Sequence, residues 1–318
     1  MNELLYKFEE LKKKSAQKTR SCMYQTCKMT AIKSHVLQKN GILNQIAYKG
    51  HIIERVSASS YKFGEKGIAD FKKVGVNNAY CFHGFCLKHD TTIFAPIEFE
   101  KKLDLFSSLQ QALFCYRGLC QEIRRKEIAV EWSEGLTYKN PLEFILFETN
   151  RRNSKLGIDN LDFFKFELEN AIMKNNFTNF YFETIEIPRI DLCISVPMNI
   201  EDKNNKKSSD NKIPFVTSFL NVFPKGDSSY IIIGYHNDYK CFWTDSFVNR
   251  IKNRTKAQIF KELSDLISIR LEFWAMSISL FESINKEEIE KLKKIIMENT
   301  FDHSSELKTD LNLFKHLI

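Results

Sequence analysis

Two short stretches gather seven of the fifteen Cys and His of this chain. CMYQTCKMTAIKSH (residues 22–35) carries two cysteines and a histidine, and CFHGFCLKHD (residues 81–90) carries two cysteines and two histidines. Four donors close to a tetrahedron suit Zn²⁺, supplied as two knuckles far apart in sequence. Cys22 and Cys27 form the first candidate knuckle, Cys86 and His89 the second. The Cys-x2-His spacing lets both ligands turn toward one ion at the start of a helix. Cys81 and His83 compete for the second knuckle, but Gly84 stands just before Cys86 and allows the tight turn that a knuckle needs. An ion shared by residues this far apart fixes much of the path of the first hundred residues.

Composition bears on the redox question. The N-terminus has no apolar leader, and no stretch reaches the length of a membrane span, so a soluble cytoplasmic protein is expected. In a reducing compartment eight cysteines read as thiols and metal ligands rather than as a disulfide framework. The chain is 43% hydrophobic with 27 Phe, enough for a large core and against wholesale disorder. Its net charge of +7 is concentrated: residues 1–100 carry 16 Lys and Arg against 9 Asp and Glu, while the remainder carries 31 of each. A local basic excess is either a footprint for phosphate-bearing partners or a solvated helix face. Lys33 and Lys39 beside the first knuckle, and Arg124 and Arg125 in YRGLCQEIRRKE (residues 116–127), are the candidate nucleic-acid contacts. His83 is a further one, or an exposed loop histidine.

Periodicity organises the rest. Residues 2–19 and 103–130 read as amphipathic helices, with Cys115 and Cys120 as small core residues of the second. Residues 142–150 fit strand or helix, and 158–174 are helical. Residues 20–100 read as hairpins, loops and one short helix. The stretches 179–200 and 213–237 read as strands, the latter a hairpin turning at Pro224–Lys225–Gly226–Asp227, with KCFWTDSFV as a further strand. A polar loop is expected at 201–212 and helices at 256–283 and 285–298, the last capped by Asn285. Cys193 and Cys241 fall in apparent strands as core residues. Tyr235, His236, Trp243 and Asp245 suggest a polar, aromatic surface. The expected architecture is α+β: a small zinc-stabilised module over residues 1–100, then, over 101–318, a helical stretch and an antiparallel sheet closed by helices, serving as scaffold or partner-binding domain.

The knuckles with their flanks resemble the treble-clef HNH, or ββα-metal, nucleases across residues 22–90. Cys22 and Cys27 match the first knuckle of that family, Ser34–His35–Val36 its Asp-His-Ile strand, and Cys86-Leu-Lys-His89-Asp90 its Cys-x2-Cys-His. The resemblance implies a treble-clef-like fold and metal-dependent phosphodiester hydrolysis. His35 would be the general base, and Asp90 would help hold a catalytic Mg²⁺ or Mn²⁺ apart from the structural zinc. Two departures stand out: Ser34 replaces the usual metal-binding Asp or His, and an insertion must occupy roughly residues 52–75. Asn44, Asn77 and Asn78 all remain candidates for the middle Asn. His51 either joins His35, His89 or Asp90 around a cation or is a structural histidine, and Glu98 is an oxygen ligand or an ordinary helix residue. The same region also resembles a group of bacterial proteins found in mobile or antiviral settings, which implies a defence role. Two function classes follow: an HNH-like endonuclease of DNA or RNA, or a non-catalytic zinc-finger-like module that binds nucleic acid or protein. A protein partner through the C-terminal half is the further expectation.

Overall fold

The fold is that of a computed structural model, which describes residues 2–58, 68–99, 103–137, 141–199, 214–299 and 307–318. In chain order its main elements are α1 (Asn2–Gln17), β1 (Lys33–His35), β2 (His51–Ser57), β3 (Ala69–Gly75), β4 (Cys81–His83), α2 (Leu87–Ile93), α3 (Ser108–Glu134), α4 (Pro141–Lys174), β5 (Phe180–Pro188), β6 (Leu192–Asn199), β7 (Thr217–Lys225), β8 (Ser228–His236), α5 (Phe242–Lys252), α6 (Lys256–Ile269), β9 (Trp274–Met276) and α7 (Lys286–Glu298). The chain is α+β with an antiparallel C-terminal sheet, as expected. The polar loop at 201–212 lies outside the described residues.

Seven strands form one antiparallel sheet in the order β3-β2-β9-β6-β7-β8-β5, and β1 and β4 form a separate two-stranded ribbon. The central strands β6, β7 and β8 are buried on both faces, which is why they are nearly continuous apolar runs. Alternate residues serve opposite cores. Leu220, Val222, Ile231 and Ile233 face α5 and α6 and pack with Phe247, Phe260 and Leu263. Phe219, Phe223, Ile232 and Cys193 face α3 and α4 and pack with Leu113, Phe114, Tyr116 and Phe164. The β7–β8 hairpin turns where the sequence signals it, with Gly226 at φ 63°, a left-handed conformation that glycine adopts without a Cβ clash.

Several local expectations give way to tertiary context. Residues 142–150 are helical, part of the single helix α4 that begins at Pro141, where a missing N–H costs nothing. KCFWTDSFV yields α5, not a strand. Its aromatic and β-branched residues suggest β-structure, but Trp243, Phe247, Val248 and Ile251 recur at helical spacing and are buried along one side. The expected helix over 256–283 stops at Ile269, and Trp274–Met276 then enters the sheet between β2 and β6. Tyr235, His236 and Trp243 are buried rather than a surface, and the Tyr235 hydroxyl donates to Asp245 at 2.9 Å. The insertion assumed at 52–75 is the β2–β3 hairpin, which leaves the β1–β4 ribbon and extends the large sheet. The sheet therefore runs across residue 100, where the charge pattern suggests a boundary.

Helix α3 crosses this sheet closely at Gly118, where an added Cβ would lie 2.5 Å from Ser195 Oγ and 3.2 Å from the Ser195 carbonyl carbon. Gly118→Val gains about 0.4 kcal/mol of helix propensity but overpacks this crossing by about 1–3 kcal/mol. The expected net result is a lower denaturant midpoint at unchanged m-value in urea unfolding.

Candidate metal centre

The first knuckle is a turn closed by its own backbone. Cys22 N donates to Met29 O at 2.8 Å, Cys27 N donates to Tyr24 O at 3.1 Å, and Thr26 sits at φ 59°. The second knuckle follows β4, with Cys86 as the residue that opens α2 and Asp90 N donating to Cys86 O at 2.9 Å. Two backbone bonds join the segments: Met23 N to Gly84 O at 2.8 Å and Ile32 N to Phe85 O at 2.7 Å. Gly84 matters here for space rather than for φ, because a Cβ would lie 2.4 Å from the Phe82 ring.

These constraints bring Cys22, Cys27, Cys86 and His89 together, with all four donor atoms within 4.8 Å of one another. Cys22 Sγ and Cys86 Sγ each lie 3.4 Å from His89 Nδ1, and Cys27 Sγ lies 3.9 Å from Cys86 Sγ. A tetrahedron with Zn–S bonds of about 2.3 Å and a Zn–N bond of about 2.1 Å has edges of about 3.8 Å between sulfurs and about 3.6 Å from sulfur to nitrogen. The three distances match those edges, so this donor set could hold a metal ion such as zinc. The ring of Tyr24 lies against His89 with centroids 4.4 Å apart. Burial pushes the Cys22 thiol up to about 11. Burial acts on Cys86 in the same direction, but the His89 and Lys88 amides and the Cys22 and Cys27 thiols outweigh it and hold Cys86 below its ordinary value. A thiolate is the metal-binding form.

The residues assigned to catalysis by resemblance are not members of this donor group. On β1, Ser34 is buried, with no hydrogen-bond partner for its hydroxyl, so it faces the core. Lys33 and His35 occupy the opposite face, paired across the ribbon with His83 and Cys81. His35 Nε2 lies 2.9 Å from Val76 O. A carbonyl only accepts, so Nε2 carries the proton and the Nδ1 lone pair is left over. Burial, opposed by the Val76 carbonyl and reinforced by Lys39, Arg117 and Lys33, lowers the His35 pKa and keeps the ring neutral at pH 7. Asp90 forms an ion pair. It lies 3.5 Å from Arg117, which also pairs with Glu98 at 2.5 Å and stacks 4.0 Å from the Phe94 ring centroid. His51 does not join His35: it is exposed at the start of β2, bonded through Nδ1 to Lys49 O at 2.8 Å. Among the described residues, the four knuckle ligands are the one group of three or more His, Cys, Asp or Glu placed to hold a metal.

The basic candidates divide. Lys33 and Lys39 reach Asn78 and Asn77 at 2.6 and 3.2 Å on the outer side of the ribbon. Arg124 and Arg125 are spent on the protein and do not form an open phosphate clamp. Arg124 is buried, bonding Ser21 O, His83 O and Glu127. Arg125 pairs with Glu122 and Glu272. A cleft of about 610 Å³ opens beside Cys22 between residues 18–23, α3 and α4, but Arg20, Arg124 and Lys18 on its walls already pair with Glu131 and Glu127. Sequence reasoning left the role of Arg117 unread. Its signal was a lone charge inside the apolar run LQQALFCYRGLC, seven residues before Arg124 and so on the same helix face.

No family model, curated protein or solved structure matches this chain. Purified protein is expected to carry about one Zn²⁺ per chain by elemental analysis. Cys86→Ser should lose stoichiometric zinc, whereas His89→Cys should keep it, because four thiolates also form a tetrahedral site. Lowering the pH should release the ion as the thiolates protonate, followed with a metal-sensitive dye.

Proposed function

We propose that the first hundred residues form a zinc-stapled nucleic-acid-binding module, with Zn²⁺ in a structural role at Cys22, Cys27, Cys86 and His89. The observation that carries this reading is the outward face of the β1–β4 ribbon. Strand alternation turns Ser34 and Phe82 inward and leaves Lys33, His35 and His83 together on the other side, with Lys39 beside them. Lysine ammonium groups are donors suited to phosphate oxygens, and phosphate contacts supply most sequence-independent affinity. Further exposed lysines on the zinc knuckles, Lys28 and Lys88, add to the positive field.

The second reading, an HNH-like endonuclease, is favoured by one observation: His35 is neutral, with Nε2 engaged by a carbonyl, the state a general base needs. Against it, Ser34 is turned inward and Asp90 is paired with Arg117, so two positions at which the resemblance implies a Mg²⁺ or Mn²⁺ ligand are otherwise occupied.

Fluorescence anisotropy with labelled DNA and RNA, repeated across a salt series, tests the first reading. Binding should weaken steeply with salt, and Lys33→Gln/Lys39→Gln should flatten the log–log slope by about 2. A salt-independent complex, or no complex, would sink it. Incubating plasmid and labelled RNA with Mg²⁺ or Mn²⁺ separates the two readings. The binding module leaves both intact. Cleavage that disappears in His35→Ala while zinc is retained would establish the enzyme instead.

A further inference from the structure

We propose that Arg124 is a positioning residue for the metal centre, presetting the two knuckles before the ion binds; this rests on the four-ligand reading above. Its guanidinium donates from Nε to His83 O at 2.8 Å and from Nη2 to Ser21 O at 2.9 Å. Ser21 immediately precedes Cys22, and His83 lies three residues before Cys86. One planar side chain thus bridges the backbones of both ligand-bearing segments. The ion pair from Nη1 to Glu127, on the same helix, fixes the plane of the fork. Arg124 is 7% exposed, so water competes little for these bonds. A rigid fork with several donors is needed to satisfy two carbonyls and a carboxylate at once, and no other side chain offers one.

The energetic reason lies in the separation of the ligands. Cys27 and Cys86 are 59 residues apart in sequence. An ion that had to gather them from a flexible chain would spend part of its binding free energy on closing that loop. The backbone bonds from Met23 to Gly84 and from Ile32 to Phe85 hold the segments to each other. Arg124 adds a side-chain clamp from a third element, the long helix α3, and so ties the metal centre to the sheet on which that helix rests. Partners just outside a metal's ligands commonly change affinity by about 10–100-fold.

The test is equilibrium competition for Zn²⁺ against a chromophoric chelator, using the full chain and Arg124→Gln, Arg124→Lys and Arg125→Gln. Arg124→Gln should bind Zn²⁺ on the order of tenfold more weakly and release it faster to excess chelator. Arg124→Lys should recover part of the loss, since an ammonium reaches one carbonyl. Arg125→Gln, whose partners Glu122 and Glu272 lie off the knuckles, should match the wild type. Co²⁺ absorption should show the tetrahedral thiolate bands of the wild type at saturation in every variant. Urea unfolding with and without metal separates positioning from plain stabilisation: Arg124→Gln should lose more stability with metal than without. Equal losses in both states, or an unchanged Zn²⁺ affinity, would overturn the inference. If the variant folds only with metal, the chelator-driven release rate decides, and an unchanged rate overturns it. A wild type that takes up no metal overturns the metal reading and this inference together, whereas metal uptake with equal Zn²⁺ affinity in wild type and Arg124→Gln removes only the inference.

Discussion

Two pieces of chain that sequence holds far apart meet at a cluster of three sulfurs and one imidazole nitrogen, spaced like the corners of a tetrahedron. The local structure of the first hundred residues is arranged around this meeting. The turn at 22–29 and the start of α2 present the donors, and the β1–β4 ribbon carries the chain between them. A closely spaced thiol set without an ion would suffer repulsion once ionised, which is why such a cluster points to a cation.

What lies between the knuckles also has a structural purpose. The β2–β3 hairpin departs from the ribbon and forms one edge of the seven-stranded sheet, with β9 linking it to β6. Helix α3 approaches the same module from the other side and reaches it with two arginines one heptad apart. Arg117 takes up Asp90 and Glu98, and Arg124 takes up the Ser21 and His83 carbonyls. Burying a guanidinium is costly unless it is paired, so Arg124 commits all three of its nitrogens and Arg117 its two terminal ones. Asp90 neutralises an arginine, while Lys33 and Lys39 stand beside the ribbon's outward face, the face proposed above for phosphate contacts.

The α+β class, the antiparallel sheet, the Gly226 turn and the burial of Cys115, Cys120 and Cys193 could be read from pattern because each follows from local periodicity or turn chemistry. KCFWTDSFV misled because aromatic and β-branched residues favour strands only on a suitable surface, and this segment instead packs one helical face on the sheet. Trp274–Met276 was hidden because three residues carry no measurable period; only a gap between β2 and β6 makes them a strand. The sequence allows Arg124 and Arg125 as a phosphate clamp or, with Glu122 and Glu127 beside them, as a solvated helix face; it does not record the His83 and Ser21 carbonyls and Glu272, which lie far off in the chain and engage them.

From sequence alone came the identity and pairing of the four candidate ligands, since donor type and spacing are local properties that coordination chemistry constrains tightly. The partners of His35, Asp90, Arg117 and Arg124 were decided only in three dimensions. Val76 O, Arg117, Glu98 and the Ser21 and His83 carbonyls belong to other elements, and no one-dimensional pattern records which of them a side chain will meet once the sheet and α3 have closed around it.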